Sequence, residues 1–377
     1  MANSWRRSVL AERHIALGSN LEDWNGIGAA WTYNQSLADD HEAIRTKAGL
    51  MDVSGLKKVH VVGPHAESVI DFATTRDVSK LYAGKSVYAS MLNDKGHFID
   101  DCVIFRNGPN AFMVVHGAGR GGEALASAAV GRNAALLFDD DLHDLSLQGP
   151  AAVEFLAEHV QGIRQLNYFH HMHTSLFGHP VTISRTGYTG ERGYEIFCKA
   201  ADTPHIWDSI VEKGAAMGVR PCAFTALDWV RVESSLVFYP YDNSEMYPFK
   251  DEPAGDSLWE LGLDFTVSPN KTEFRGAPEH FRLKGKERIK IFGVLVDSEK
   301  ATEAGDTLWA DGKQVGVITC GMYSRLTKRS MAIARFDAPY AVHGKKVDVR
   351  GKAGTLQAIA HTQPFDDPEK TKRTAKG

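Results

Sequence analysis

Between Arg185 and Glu195 the chain reads Arg-Thr-Gly-Tyr-Thr-Gly-Glu-Arg-Gly-Tyr-Glu, and the glycines at 187, 190 and 193 fall within seven positions. The β-branched run Val181, Thr182 and Ile183 predicts a strand leading into this segment, and Tyr194 to Cys198 predicts a second strand leaving it. Glycines at that density let the backbone turn tightly and let a flat ligand approach it closely. Tyr188 and Glu195 flank the turn. A carboxylate so placed can accept two parallel N–H bonds from a planar amidine-like edge, such as that of a pterin or a guanine. An ordinary β-hairpin with polar tips accounts for the segment equally well.

The 377 residues exceed what one hydrophobic core serves, so two or three domains are expected. With 43% apolar and 24% charged residues and a net charge of −4, the chain has the make-up of a soluble globular enzyme, not of a nucleic-acid or membrane-surface binder. No apolar run reaches bilayer-spanning length, and the first 18 residues lack the unbroken apolar stretch of a signal peptide. Cys102, Cys198, Cys222 and Cys320 are scattered without C-x-x-C or zinc spacing, which predicts reduced, buried thiols in a cytoplasmic protein and no metal site.

Apolar periodicity predicts helices over 36–48, 203–217 and 224–236, and paired strands over 86–93 and 98–106 joined by Asp94-Lys95-Gly96. Residues 240–258 read as a long irregular loop of the kind that often carries function. From about Glu287 short alternating segments predict a small β-barrel or sandwich. The expected division is residues 1–57 with 141–270, then 58–140, then 285–365, followed by a mobile polar tail over 366–377.

Several further motifs stand in one order along the chain. They are His41-Glu42-Ala43-Ile44-Arg45 leading to Asp52-Val53-Ser54, Tyr88 with Met91-Leu92-Asn93, Ile99-Asp100-Asp101, Leu147-Gln148-Gly149-Pro150, and Gly316, Thr319, Gly321 and Ser324. With the 185–195 turn, this series resembles the glycine-cleavage T-protein family, the tetrahydrofolate-dependent aminomethyltransferases and their demethylase relatives, over about residues 25 to 340. The resemblance implies an α+β, three-domain, clover-like fold with a central folate channel and a C-terminal barrel. It implies that Asp101, the second of the acid pair, is the catalytic carboxylate. It also implies that Glu195 grips the pterin and that Tyr88, Tyr168, Phe169, His173 and Tyr188 line the same channel. Trp31, Phe105, Tyr239 and Tyr241 are expected to wall the site of a methylated cationic donor.

Departures from the pattern point away from an orthodox glycine-cleavage component. The family's arginine for the folate tail is Leu227, and the loop following Phe238 is altered. The expected activity is therefore transfer of a methyl group from a small onium, amine or ether to N5 of tetrahydrofolate. The alternatives are a glycine-cleavage aminomethyltransferase served by a lipoyl carrier protein, and a non-catalytic folate binder. Arg231 and Glu233 are expected to form an ion pair within their helix. His170, His171, His173 and His179 are expected to be hydrogen-bonded side chains and not metal ligands. Gly117-Ala118-Gly119-Arg120-Gly121-Gly122, with Asp139 some 20 residues on, fits a dinucleotide-binding turn, but no doubly wound strand pattern follows it.

Overall fold

Alternation along the strand that leaves the glycine turn sets the architecture. In Gly193–Lys199, Tyr194, Ile196 and Cys198 are buried on one face, while Glu195 and Phe197 point to the other. The computed structural model of the chain describes residues 5–352, 354–362 and 364–376. In it this strand sits inside a six-stranded sheet, between His179–Ser184 and Leu142–Gln148; beyond these lie His171–Leu176 on one side and Ala48–Asp52 and Val219–Pro221 on the other. The last two strands pair in parallel and the rest antiparallel. Leu50, Leu145, Leu147, Ile183 and Ile196 pack against Phe155, Leu156, Ile206 and Trp207 from the helices Pro150–Ala157 and Thr203–Gly214. Each fully buried aliphatic or aromatic side chain there contributes about 1.5–3 kcal/mol. The register Glu195↔Ser146, Phe197↔Asp144 and Met51↔Ser146 puts polar groups on the opposite face.

The glycines are explained by Gln148. A Cβ on Gly187 or Gly193 would stand 2.1 or 2.0 Å from its side-chain oxygen. The Gln148 amide donates to the Thr186 carbonyl at 3.1 Å, and its oxygen accepts from the Thr189 hydroxyl at 3.1 Å. The two motifs are thus halves of one interlocked turn.

A second, five-stranded antiparallel sheet runs in the order Ser86–Leu92, Phe98–Gly108, Ala111–His116, Lys57–Val62, Ala135–Phe138. The helices Ala66–Ala73 and Gly121–Ala129 cover one of its faces. Phe105, Met113 and Val115 on its other face meet Phe197 of the first sheet, the two phenylalanine rings lying edge to face at 5.4 Å. The strands Ile289–Val296, Thr307–Ala310, Lys313–Ser324, Arg329–Asp337, Lys346–Gly351 and Gly354–His361 close into a barrel, which leaves no open sheet edge. Val232, on the helix Phe224–Ser234, packs with Cys320 and Ile333 of the barrel. The α+β, three-lobed expectation holds. No helix among the described residues is long and apolar enough to cross a membrane.

One expectation is corrected, that of an ion pair between Arg231 and Glu233. In the tail from 366 onward, Lys372 bonds Asp366 at 2.8 Å and Glu191 at 3.1 Å, and Arg185 donates to the Arg373 and Ala375 carbonyls. Gly377 lies outside the described residues. The Arg231–Glu233 pair does not form, because positions two apart on a helix face different ways. Arg231 instead bonds Asp228 at 2.5 Å and Asp242 at 2.6 Å, and Glu233 bonds Arg45 at 2.7 Å and His41 at 2.9 Å. Arg45 and His41 lie one turn apart on the helix Leu37–Thr46, which is capped by Ser36. Burial works against ionisation of Glu233, but the His41 hydrogen bond and the Arg45 charge hold its carboxyl down at about 2.

Candidate active site

Asp100 and Asp101 are neighbours on the strand Phe98–Gly108 and so face opposite ways. Asp100 is fully buried on the helix-covered face. It accepts from the His116 ring at 2.9 Å, from the Gly121 amide at 3.0 Å, and from the Asp101 amide at 2.9 Å. The Gly121 amide opens the helix Gly121–Ala129, and a Cβ on Gly119 would stand 2.0 Å from the Ile99 carbonyl. The glycine-rich turn that resembled a dinucleotide site therefore wraps an internal carboxylate, which occupies the positive end of the helix.

Asp101 looks the other way, toward the first sheet, and is partly open. The Tyr88 hydroxyl donates to it at 2.7 Å. Burial, and then the charge of Asp100, push its carboxyl up to about 7 against the pull of the Tyr88 bond. Burial raises the Tyr88 and Tyr188 phenols well above their ordinary value, and the charge of Asp101 adds to the shift of both. The Tyr188 hydroxyl donates to the Leu236 and Val237 carbonyls, which fixes the loop beyond the helix Phe224–Ser234. Tyr88 stacks on Phe265 at 6.3 Å.

Glu195 rises from the facing sheet. The Thr186 hydroxyl donates to its Oε2. Among the described residues no donor reaches Oε1, so this oxygen has capacity for a ligand N–H. Burial raises the Glu195 carboxyl, the Thr186 bond opposing it. Tyr168 stands near Glu195 and beside Arg373 of the tail, and its ring meets Phe169 edge to face at 4.6 Å. Asp144, which the sequence reading passed over, shares the Glu195 face. It is fully buried, and neither of its oxygens has a partner among the described residues. Burial and the charge of Glu195 raise its carboxyl well above the ordinary value, against the charge of Lys58. Lys58 nearby, pushed by burial to about 8, donates to the Ser54 and Leu56 carbonyls.

The histidines are individually engaged. His170 bonds Tyr82 at 2.7 Å, His173 bonds Thr182 at 2.8 Å, and His179 bonds Asp202 at 2.8 Å. His171 lies between Ser86 and Asn107, each at 3.0 Å, and burial lowers it to about 4. His173 is on the Glu195 face, but exposed. The four residues proposed as a donor wall are not one wall. Phe105 is fully buried between His171 and Phe197, as part of the contact between the sheets. Tyr239 meets Phe98 at 5.9 Å, whereas Trp31 and Tyr241 line a separate cavity. Leu227 is buried among Phe224, Val230 and Trp31 and faces no channel.

Asp101 and Glu195 thus stand on the faces of the two sheets that meet at Phe105 and Phe197. The GCVT N-terminal domain model matches residues 10–271, and the glycine cleavage T-protein C-terminal barrel domain model matches residues 290–367. The chain belongs to the glycine-cleavage T-protein family, a family of folate-dependent one-carbon enzymes. It is 72% identical, over the whole of both chains, to the heme-dependent oxidative N-demethylase gamma subunit of Ectopseudomonas mendocina. It is 29% identical to an aminomethyltransferase of Bacillus mycoides, with 96% of this chain and 98% of that one covered. It is also 32% identical to the trimethylamine-oxide aldolase of Ruegeria pomeroyi, covering 96% of this chain but only 47% of that protein. The crystal structure of the Bartonella henselae glycine cleavage system aminomethyltransferase T shares the fold, with a TM-score of 0.85 at 24% identity, covering 96% of this chain and 98% of that one.

Proposed function

We propose that this chain is the folate-handling subunit of an N-demethylating enzyme, binding tetrahydrofolate between its two sheets and loading it with the carbon released from a small N-methyl amine. The observation that carries the reading is the full-length, 72% identity to a demethylase subunit, in a chain that retains Asp101 and Glu195. Tetrahydrofolate supplies amine nitrogens that accept a one-carbon unit. Glu195, with Oε1 unused, takes the amino edge of the pterin and fixes its orientation. Asp101, poised at about 7, holds or receives a proton at the accepting nitrogen, and Tyr88 keeps that carboxyl in place. Holding carrier and carbon donor together supplies proximity.

The relative's name also implies haem. Burial raises all four thiols of this chain above their ordinary value, which disfavours a thiolate ligand, and His280, buried with neither ring nitrogen partnered among the described residues, is packed against Trp259, Phe274 and Phe281. Under this proposal the haem resides in a partner subunit. Oxidative demethylation, whose two electrons would pass to the partner's haem centre and on to an external electron acceptor, leaves the carbon at the level of formaldehyde, so the expected product is the methylene form of the carrier, formed with loss of water, and not the methyl form. The test is the assembled complex, supplied with a ¹³C-methyl secondary amine and tetrahydrofolate. Label in methylenetetrahydrofolate, without any lipoyl carrier, is the expected result. Label found only as free formaldehyde, at the same rate whether or not this chain is present, would overturn the proposal.

A further inference from the structure

The loop after the helix Phe224–Ser234 sends its aromatic side chains in two directions. Tyr239 turns toward Phe98 and the acid pair. Phe238 and Tyr241 turn away from it and, with Trp31, wall a cavity of about 280 Å³ between the first lobe and the barrel. The Phe238 and Tyr241 rings lie 4.9 Å apart, and Trp31 meets Tyr241 edge to face at 6.4 Å. Tyr188 links the two regions: its ring meets Phe238 of the cavity wall at 6.4 Å, and the charges of Asp101 and of Asp228, Arg231 and Asp242 all act on its phenol.

The charges of the cavity wall do not cancel. Arg231 is buried and engaged by two carboxylates, Asp228 and Asp242, which leaves the trio with a net charge of −1. Asp242 is fully buried, accepting from Arg231, from the Phe238 amide at 2.7 Å, and from the Thr319 hydroxyl. Asp228, whose side chain is 33% exposed, is the carboxylate of the trio that a ligand can reach. The Cys320 thiol donates to Asp228 Oδ2 at 3.1 Å, and that oxygen retains a free lone pair. Glu22 adds a further negative charge on the Tyr241 side. Thr302 also lines the cavity, with a buried hydroxyl that has no partner among the described residues. Aromatic faces around a partly desolvated carboxylate are the chemistry of a cation site, and the Arg231 Nε and Nη1 groups are committed to Asp228, Asp242 and the Leu236 carbonyl.

We propose that this cavity binds a small organic cation of the alkylammonium class, such as the amine that arrives at or departs from the demethylation. The proposal rests on the reading of the chain as a folate-handling demethylase subunit and names a second subsite within it. The test is calorimetric titration of the full-length chain with tetramethylammonium chloride, followed by di- and monomethylammonium, to show whether the secondary amine or its demethylated product is preferred. Saturable binding is expected, weakened about tenfold or more by Trp31→Leu or Asp228→Asn, with no binding of the uncharged mimic tert-butanol. Tyr241→Leu, at an exposed loop position, keeps the test decisive if Asp228→Asn does not fold. Tetrahydrofolate affinity, measured separately on the same variants, is expected to stay near the unsubstituted value. No saturable binding, equal binding of tert-butanol, or displacement of the cation by tetrahydrofolate would overturn the proposal, the last by giving the cavity to the folate tail. A chain that binds the cation but not tetrahydrofolate would leave this subsite standing and refute the folate reading instead.

Discussion

Replacing Asp101 by asparagine should make the fold more stable while removing activity. The carboxyl is raised from 3.8 to about 7 by burial and by the neighbouring charge of Asp100. Because the folded state holds the proton more tightly than the unfolded chain, this group costs nothing below pH 3.8 and destabilises increasingly as pH climbs to 7. At about 1.4 kcal/mol per pH unit the full shift is worth about 4 kcal/mol. The side chain is only partly buried, so screening reduces the effect to about 2 kcal/mol. Asparagine keeps the shape and can still accept from Tyr88, but it carries no charge. In urea unfolding, Asp101→Asn is expected to be more stable than the unsubstituted chain by about 2 kcal/mol at pH 8, with the difference shrinking toward pH 4. Folate loading by the assembled complex should fall at least about 100-fold, the usual contribution of a positioned acid–base group. A variant equally or less stable at pH 8, or a difference that does not vary with pH, would refute the reasoning.

Tyr88→Phe deletes the one side-chain hydrogen bond that lowers the Asp101 carboxyl, so the acidic limb of the pH–rate profile should move to higher pH. Glu233→Ala takes from His41 its buried carboxylate and from Arg45 one of two, Glu191 remaining, and should cost about 1–3 kcal/mol in denaturant unfolding. The same interaction is fully present above the unfolded carboxylate range and is lost as pH falls toward about 2, so the penalty should diminish in acid. Gly119→Ala drives a methyl group into the Ile99 carbonyl and the Asp100 side chain and should cost about 1–3 kcal/mol or more, seen as a lowered Tm. The interlocked turn makes the same demand at Gly193, where alanine should be tolerated only if Gln148 is also shortened.

The turn from Arg185 to Glu195 was legible because its glycines and its carboxylate are local features, and alternation alone determines which side chains face the channel. Asp101 could be separated from Asp100 on the same ground, although the sequence did not reveal that the glycine-rich turn at 117–122 exists to close around Asp100. Long-range partners were the blind spot. Asp242 meets Arg231 from eleven residues away, across an irregular loop, and Glu191 anchors the tail through Lys372 from the far end of the chain. One missed contact did leave a trace: Asp228 and Arg231 are spaced i,i+3, which should have been preferred to the i,i+2 pairing with Glu233. Phe105 misled because an aromatic on the channel face of a strand can equally serve as the contact between two sheets.

The central claim is that the space between the two sheets binds tetrahydrofolate through Glu195. Anaerobic calorimetric titration of the chain and of Glu195→Gln with tetrahydrofolate tests it most directly. Saturable binding by the first, weakened at least about tenfold in a second that remains folded, is the result this account predicts. Failure of the unsubstituted chain to bind tetrahydrofolate, or equal binding by both proteins, would contradict it.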